Sequence, residues 1–247
     1  MENFFGINYW FEKEKIHLSI DKMITNNKKG YICVADGVTL AMSHKNKRLR
    51  ETLDKASIIT CDSGWVPLYL KKIYNIEREQ YCGADLLMNL VKMHKYRMMF
   101  LGSSQKTLDA LKQNLTKKDQ LIDSMFFYSL PYKDVDEFDY QEIADFIKKD
   151  NPDIIFFSLG MPKQEFFMNK LEHYIEKGIL IGVGAAFKFH SGLLNQKRAP
   201  KWMIKAKIEW MYRIISEPQK QLKRCSLILF TMPAIYREEL KRKKQHT

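Results

Sequence analysis

Short apolar runs alternate with longer amphipathic stretches along most of the chain. The densest run, Ile154-Ile155-Phe156-Phe157, opens at the turn signal Asn151-Pro152-Asp153 and is followed by Gly160, Pro162 and the polar cluster Lys163-Gln164-Glu165. A residue before proline is pushed out of the helical region. An uninterrupted β-branched and aromatic run between turn residues reads as a strand buried on both faces. Comparable runs occur at 31–35, 57–61, 97–101 and 179–183, and residues 124–128 suggest a further short strand. Helical patterns lie between them. One carries Leu40, Met42 and Leu49, another Leu68 and Leu70; a third opens at Gly83-Ala84-Asp85 and continues through Leu86, Leu87, Leu90 and Val91. Further ones hold Leu108 and Leu111, residues 140–149, and a helix through Phe167, Leu171 and Ile175. Residues 1–30 are aromatic at first and then charged and helical in pattern. Strand and helix in alternation predict an α/β fold, a Rossmann-like parallel sheet with helices on both faces.

The predicted strands end in small or acidic residues: Asp36-Gly37, Asp62-Ser63-Gly64, Gly102-Ser103-Ser104 and Gly182-Val183-Gly184. Open α/β sheets bind ligands at the carboxyl ends of their strands. A carboxylate placed there, as at Asp36, Asp62 or beyond Gly83 at Asp85, suits a general base on a sugar hydroxyl. Each of the three equally suits the capping of the next helix. The Gly182-Val183-Gly184 turn could bring backbone N–H groups against a phosphate, although a tight strand-to-helix turn calls for glycine in any case.

From residue 198 the pattern changes. Residues 201–213 look helical, Glu217-Pro218 breaks them, and an apolar stretch of 12 residues, 225–236, follows. A membrane span needs about 20 residues. Basic groups on both sides (Lys223 and Arg224, then Arg237 and 241–244) instead fit a segment lying on an anionic membrane surface. A core helix beside a solvated basic tail is the plainer alternative, and Pro233 limits the regularity of any helix here. The formal charge of +12 is unevenly placed: residues 196–247 carry 14 Lys/Arg against 4 Asp/Glu, and the preceding 195 carry 27 against 25. A near-neutral body with a basic tail points to a localised anionic partner. The expected organisation is an α/β catalytic domain over 1–197 and a basic, membrane-associating appendage over 198–247.

Several classes fall away. There is no GxxxxGK[ST], no GxGxxG (Gly184 is followed by Ala185, Ala186 and Phe187), no HExxH and no His/Cys cluster. Asp134 and Asp136 sit in a polar loop and read as solvated, so no metal site and no cofactor are expected. Cys33, Cys61, Cys82 and Cys225 lack metal spacing, and Cys33 and Cys61 fall in apolar runs, which suggests reduced thiols in a cytosolic protein. The first residues lack the pattern of a secretory signal. No DNA- or RNA-binding signature is present, so nucleic acid is not an expected partner.

The chain resembles the WecG/TagA/CpsF family of bacterial glycosyltransferases over roughly residues 31–224. The resemblance rests on Gly160-Met161-Pro162-Lys163-Gln164-Glu165, Gly182-Val183-Gly184 with Phe187 and Gly192, Arg198-Ala199-Pro200, Glu209-Trp210, Tyr212-Arg213 and Glu217-Pro218, with Asp62 and the Gly83/Asp85 pair upstream. It implies an inverting, metal-independent transfer from a UDP-sugar donor to a polyprenyl-pyrophosphate-linked sugar, at the inner face of the bacterial cytoplasmic membrane. Homo-oligomers are compatible with it. On this basis Asp62 is expected to be the catalytic base. The donor side is expected to draw on Asp36, Gly102, Gly160, Lys163, Gln164, Glu165, Gly182, Gly184, Phe187 and Lys188. The acceptor or pyrophosphate side is expected to draw on Asp85, Arg198, Arg213, Lys220, Lys223 and Arg224. An arginine suits a pyrophosphate because its guanidinium offers paired donors. The chain departs from the family pattern at Ser63, which separates Asp62 from Gly64, at Lys188 and Gln80, which replace an acidic and a basic residue, and in a longer segment between Gly192 and Arg198. A catalytically inactive, membrane-peripheral scaffold of the same fold is the alternative these departures leave open, and a basic nucleic-acid-binding α/β protein is a more distant one.

Overall fold

The computed structural model describes residues 1–193 and 218–245, with side chains in the last helix described from residue 222 onward. The expected parallel sheet is present. Its strands are β3 (Lys29–Ala35), β4 (Ile58–Cys61), β5 (Met98–Gly102), β6 (Phe126–Tyr128), β7 (Ile154–Ser158) and β8 (Gly178–Gly182), in the order β4-β3-β8-β7-β5-β6. Every neighbouring pair is parallel, with Cys33 level with Gly182 and Phe100 level with Phe156. Successive side chains point to opposite faces of a strand, so each strand feeds two cores. Tyr31, Cys33, Met99, Leu101, Ile155, Phe157 and Leu180 belong to one. Ile32, Val34, Met98, Phe100, Ile154, Phe156, Ile179 and Ile181 belong to the other. Phe127, Phe100 and Phe156 stack across three strands with centroids 4.3 and 5.4 Å apart.

One face is covered by α1 (Lys13–Thr25), α5 (Gly83–Val91), α6 (Gln105–Thr116) and α9 (Ala186–Ser191), the other by α2 (Gly37–Lys45), α3 (Lys47–Asp54), α4 (Trp65–Tyr74), α7 (Tyr140–Asp150) and α8 (Lys163–Leu171). Two expectations need correction. The helix drawn from Leu40 through Leu49 is two helices, because Asn46 takes an extended backbone and its side chain accepts from Leu49 N–H at 3.0 Å, capping α3. Helix α8 ends at Leu171, so Ile175 packs in the core from beyond it.

The N-terminal aromatics form a hairpin that the pattern did not announce: β1 (Glu2–Phe4) and β2 (Ile7–Tyr9) joined by Phe5-Gly6. Both turn residues have positive φ, +53° and +73°, as a two-residue turn matched to strand twist requires. The last helix, α10 (Pro218–Gln245), continues through Pro233 and packs on α2 and α4. Its Met232 and Ile235 join the core, and Ile228 lies over Gly37, where an added Cβ would stand 3.3 Å from Ile228 Cδ1.

The far end of α10 is held by a buried carboxylate. Glu239 accepts from Phe5 N–H at 2.9 Å and from the Tyr74 hydroxyl at 2.8 Å, joining α10, the hairpin turn and α4. Glu239→Ala should leave the buried Phe5 N–H unsatisfied, at a cost of about 1–3 kcal/mol, and release the half-buried Tyr74 hydroxyl. The expected signature is a lower urea midpoint together with faster amide exchange in residues 1–9. An unchanged midpoint with unchanged exchange would show that Glu239 does not hold these elements together.

Candidate active site

Parallel strands bring the turns singled out in the sequence to one edge. In sheet order they are Asp62 after β4, Asp36 after β3, Gly184 after β8 and Gly160 after β7, with Gly102 one strand further at the end of β5. From β4 to β7 is three strand spacings, roughly 14 Å at about 4.8 Å each. Asp62 is half-buried, and its N–H donates to Ala35 O at 2.9 Å, so it sits directly beside the end of β3. Tyr81 N–H donates to Cys61 O at 2.7 Å and brings the start of α5 alongside. There the Cys82 thiol donates to the Asp85 carboxylate at 3.0 Å. Burial raises the pKa of that thiol, and the nearby charge of Asp62 raises it further. Asp62, Cys82 and Asp85 therefore form one neighbourhood. Gly83 allows it: a Cβ there would lie 3.3 Å from Val183 Cα and O.

Gln164 ties the β7 and β8 turns together. Its N–H donates to Gly160 O at 2.9 Å, and its side-chain Oε1 accepts from Gly184 N–H at 3.2 Å. Ser158 Oγ adds a 2.7 Å bond to Gly184 O. Val183 N–H donates to Phe157 O at 3.0 Å. The amides expected to meet a phosphate after β8 are thus already engaged inside the fold. Gly182 gives Gln164 its path, since a Cβ there would come within 3.0 Å of Gln164 Cδ and 2.8 Å of Met168 Cε. Beside Gly160 (φ +80°) an added Cβ would meet nothing within 4 Å, so backbone conformation and not crowding calls for glycine.

Glu165 lies beneath these turns with 0% of its surface exposed. Its Oε1 accepts from Gln164 Nε2 at 3.1 Å, and its Oε2 has no hydrogen-bond partner among the described residues. Burial pushes its pKa up to about 7, the Gln164 bond pulls it back in part, and the charge of Asp36 adds a smaller upward push.

Asp36 has two tasks. Its Oδ1 caps α2, accepting from Val38 N–H at 2.9 Å, Thr39 N–H at 2.8 Å and the Thr39 hydroxyl at 3.0 Å. Its Oδ2 is paired with Arg224 of α10. Lys223 is exposed, and Lys188 is exposed on α9. Phe187 is placed in the core, 0% exposed and 5.9 Å from the Phe100 ring. The Lys163 ammonium turns to the loop before α7, donating to Lys133 O and lying 4.9 Å from the Tyr132 ring. Arg198, Arg213, the Lys220 side chain and the helical pattern at 201–213 lie outside the described residues. Asp136, expected to be solvated, is exposed but paired with Lys170 at 2.8 Å. Among the described residues no group of three or more His, Cys, Asp or Glu is arranged to hold a metal ion. None of the four cysteines is in a disulfide. Sequence reasoning passed over Cys82 and Ser158; adjacency to Gly83 was the one available signal for the first, and strand β7 ending at residue 158 for the second.

Fold and edge together define a doubly wound α/β protein whose polar turns gather where such sheets bind ligands. The model of the glycosyl transferase WecG/TagA/CpsF family matches residues 3–245, and the chain belongs to that family: it is a glycosyltransferase. It is similar to proteins named N-acetylglucosaminyldiphosphoundecaprenol N-acetyl-beta-D-mannosaminyltransferase. That of Bacillus spizizenii is 28% identical over 227 residues, covering 91% of this chain and 86% of that protein. That of Bacillus subtilis is 28% identical over 212 residues, covering 82% and 80%. One from Staphylococcus aureus is 25% identical over 234 residues, covering 94% and 88%.

The buried Glu165 carboxyl has a consequence for stability. A carboxyl whose pKa rises from 4.5 to about 7 on folding binds its proton more tightly in the folded state. The cost of ionising it is therefore absent below about pH 4.5 and grows progressively as the pH climbs towards 7, to on the order of 3 kcal/mol. Cys33 and Asp36 are the other titratable groups close to it. Urea titrations between pH 5 and 8 should show stability falling with pH in the native protein and a flatter profile for Glu165→Gln. Parallel profiles for the two proteins would mean that Glu165 is not a buried titrating group.

Proposed function

We propose that the chain transfers a sugar, with inversion and without a metal ion, from a UDP-sugar to a polyprenyl-diphosphate-linked saccharide at the inner face of the bacterial cytoplasmic membrane. The relatives' name supports the acceptor, because it describes transfer to N-acetylglucosaminyl-diphosphoundecaprenol. The observation that carries the reading is the Arg224–Asp36 ion pair. It lays the basic last helix over the end of β3, between the strand that ends at Asp62 and the one that ends at Gly182.

In this reading the acceptor hydroxyl gives its proton to Asp62 and attacks the anomeric carbon from the face opposite the diphosphate. The bond from that carbon to the diphosphate oxygen breaks, and UDP leaves carrying the charge. With the amides after β8 engaged, that charge falls to guanidinium and ammonium groups. Arg224 keeps N–H donors beyond the one it gives Asp36, and Arg198, Arg213, Lys220 and Lys223 are the further candidates. Asp85, bonded to Cys82 near Asp62, stands on the acceptor side.

Residues 1–197 then act as the catalytic domain and 198–247 as the membrane-associating appendage. Leu229 and Phe230 of α10 are 68% and 83% exposed, and Lys223, Arg237 and Lys241 are exposed on the same helix. Apolar side chains among cations suit an anionic interface. Among the described residues no helix is long and apolar enough to cross a membrane.

Asp62→Asn should lower UDP release in the presence of a lipid-diphosphate-sugar acceptor by roughly a hundredfold or more while leaving the circular dichroism spectrum unchanged. Near-normal release would remove Asp62 from the role of base. Leu229→Asp with Phe230→Asp should reduce flotation with anionic vesicles at least about tenfold, because inserting either native side chain is worth ~1.5–3 kcal/mol. Equal flotation of the variant and the native protein would defeat the membrane reading.

A further inference from the structure

Gln164 faces two groups with opposite requirements. Gly184 N–H is a donor and needs an acceptor, so Gln164 must present Oε1 to it, at 3.2 Å. The NH2 group must then point the other way, and 3.1 Å from it stands Glu165 Oε1, which can only accept while the carboxyl is ionised and readily accepts when it is not. A single orientation of the amide satisfies both contacts. Turned over, it would set its NH2 against the Gly184 N–H and its oxygen against a buried carboxyl oxygen. The chain of bonds continues on both sides. Gly184 O accepts from Ser158 Oγ on β7, and Gln164 N–H returns to Gly160 O. The turns after β7 and β8 are therefore joined through one side-chain amide whose orientation is set from below.

Burying Glu165 is unfavourable by itself, since among the described residues its Oε2 has no partner and its surface is closed to water. A leucine or methionine in the same buried position near Cys33 would carry no such penalty. The carboxyl therefore needs a reason beyond packing, and its hydrogen bond with the Gln164 side chain supplies it. We propose that Glu165 is a positioning residue for the donor side of the reaction: it sets the Gln164 amide so that Oε1 holds Gly184, and through Gly184 it keeps the β8 turn and the start of α9 at a set distance from the Gly160 turn. Having no exposed surface, Glu165 acts on a donor through Gln164 and not by touching it. Lys188, exposed one turn into α9, is carried with the same turn. The inference rests on the proposed transfer from a UDP-sugar and on the donor lying between these two turns, where the family resemblance leads one to expect Gly160, Gln164 and Gly184.

The test compares Glu165→Leu, which has no acceptor, with Glu165→Gln, which keeps one. Two readouts are taken on the full chain. Without any donor, amide exchange in the peptide spanning 182–186 follows the Gly184 N–H; Leu should speed it at least about tenfold and Gln should restore most of the protection. In steady-state assays with UDP-N-acetylhexosamine and a lipid-diphosphate-sugar acceptor, Leu should lower kcat/KM roughly tenfold to a hundredfold. The loss should lie in the donor KM, the acceptor KM should hold, and Gln should recover the larger part. Adding Gln164→Leu to Glu165→Leu should cost nothing more, because the second change removes a link already broken. Should the Leu variant not fold, Glu165→Met, closest in length, replaces it. If the native protein turns over no nucleotide sugar, the donor reading fails and the exchange data alone decide whether Glu165 holds Gly184. If the native protein is active and the Leu variant matches it in both readouts, or if the two substitutions add independently, Glu165 is not a positioning residue.

Discussion

Six strands running the same way send all their carboxyl ends to one edge, and each end must turn there into whatever follows it. That geometric constraint governs the molecule. It gathers Asp36, Asp62, Gly102, Gly160 and Gly184 along one line although nearly 150 residues separate the first from the last. Strand order then decides which of them are neighbours. Because β8 lies between β3 and β7, the turn after the last strand comes between Asp36 and Gln164, and a single glutamine can bridge it.

The edge is finished by pieces from the two ends of the chain. A positive-φ hairpin turn at Phe5-Gly6 has donors and acceptors pointing away from its own strands. Glu239 of α10 satisfies the Phe5 amide, and Arg50 donates to Gly6 O. At the other end of the same helix Arg224 meets Asp36. The hairpin and helix α10 thus depend on each other, and the register of α10 over α2 follows from both contacts. This is why Ile228 rests on Gly37, where a side chain would crowd it.

Several buried polar groups lie near this edge. Glu165, Gln164, Tyr9 and Ser63 are all buried, and Glu165 Oε2 and Tyr9 Oη lack hydrogen-bond partners among the described residues. An unpaired buried polar atom opposes stability, so these two oxygens are a cost the fold carries. Both residues lie near Asp36: burial raises the pKa of each, and the charge of Asp36 adds a smaller upward push.

Local pattern determined the existence, type and approximate ends of all six sheet strands, because each is an apolar run punctuated by glycine, proline or aspartate, and these signals are local. The same pattern determined the parallel arrangement and the collection of strand-end residues on one edge. It did not reveal the hairpin, since strands of three residues are too short to show a period. Nor did it show the break at Asn46, where a side-chain cap outcompetes a helical pattern that reads as continuous. Which face of α8 carries Gln164 to Gly184, that Glu165 is sealed beneath it, that Phe187 fills the core, and that Glu239 and Arg224 reach partners some 190 to 230 residues away were decided only by tertiary structure. Each depends on strand order and helix docking, which set distances between residues remote in the chain, and no local run of residues encodes such a distance.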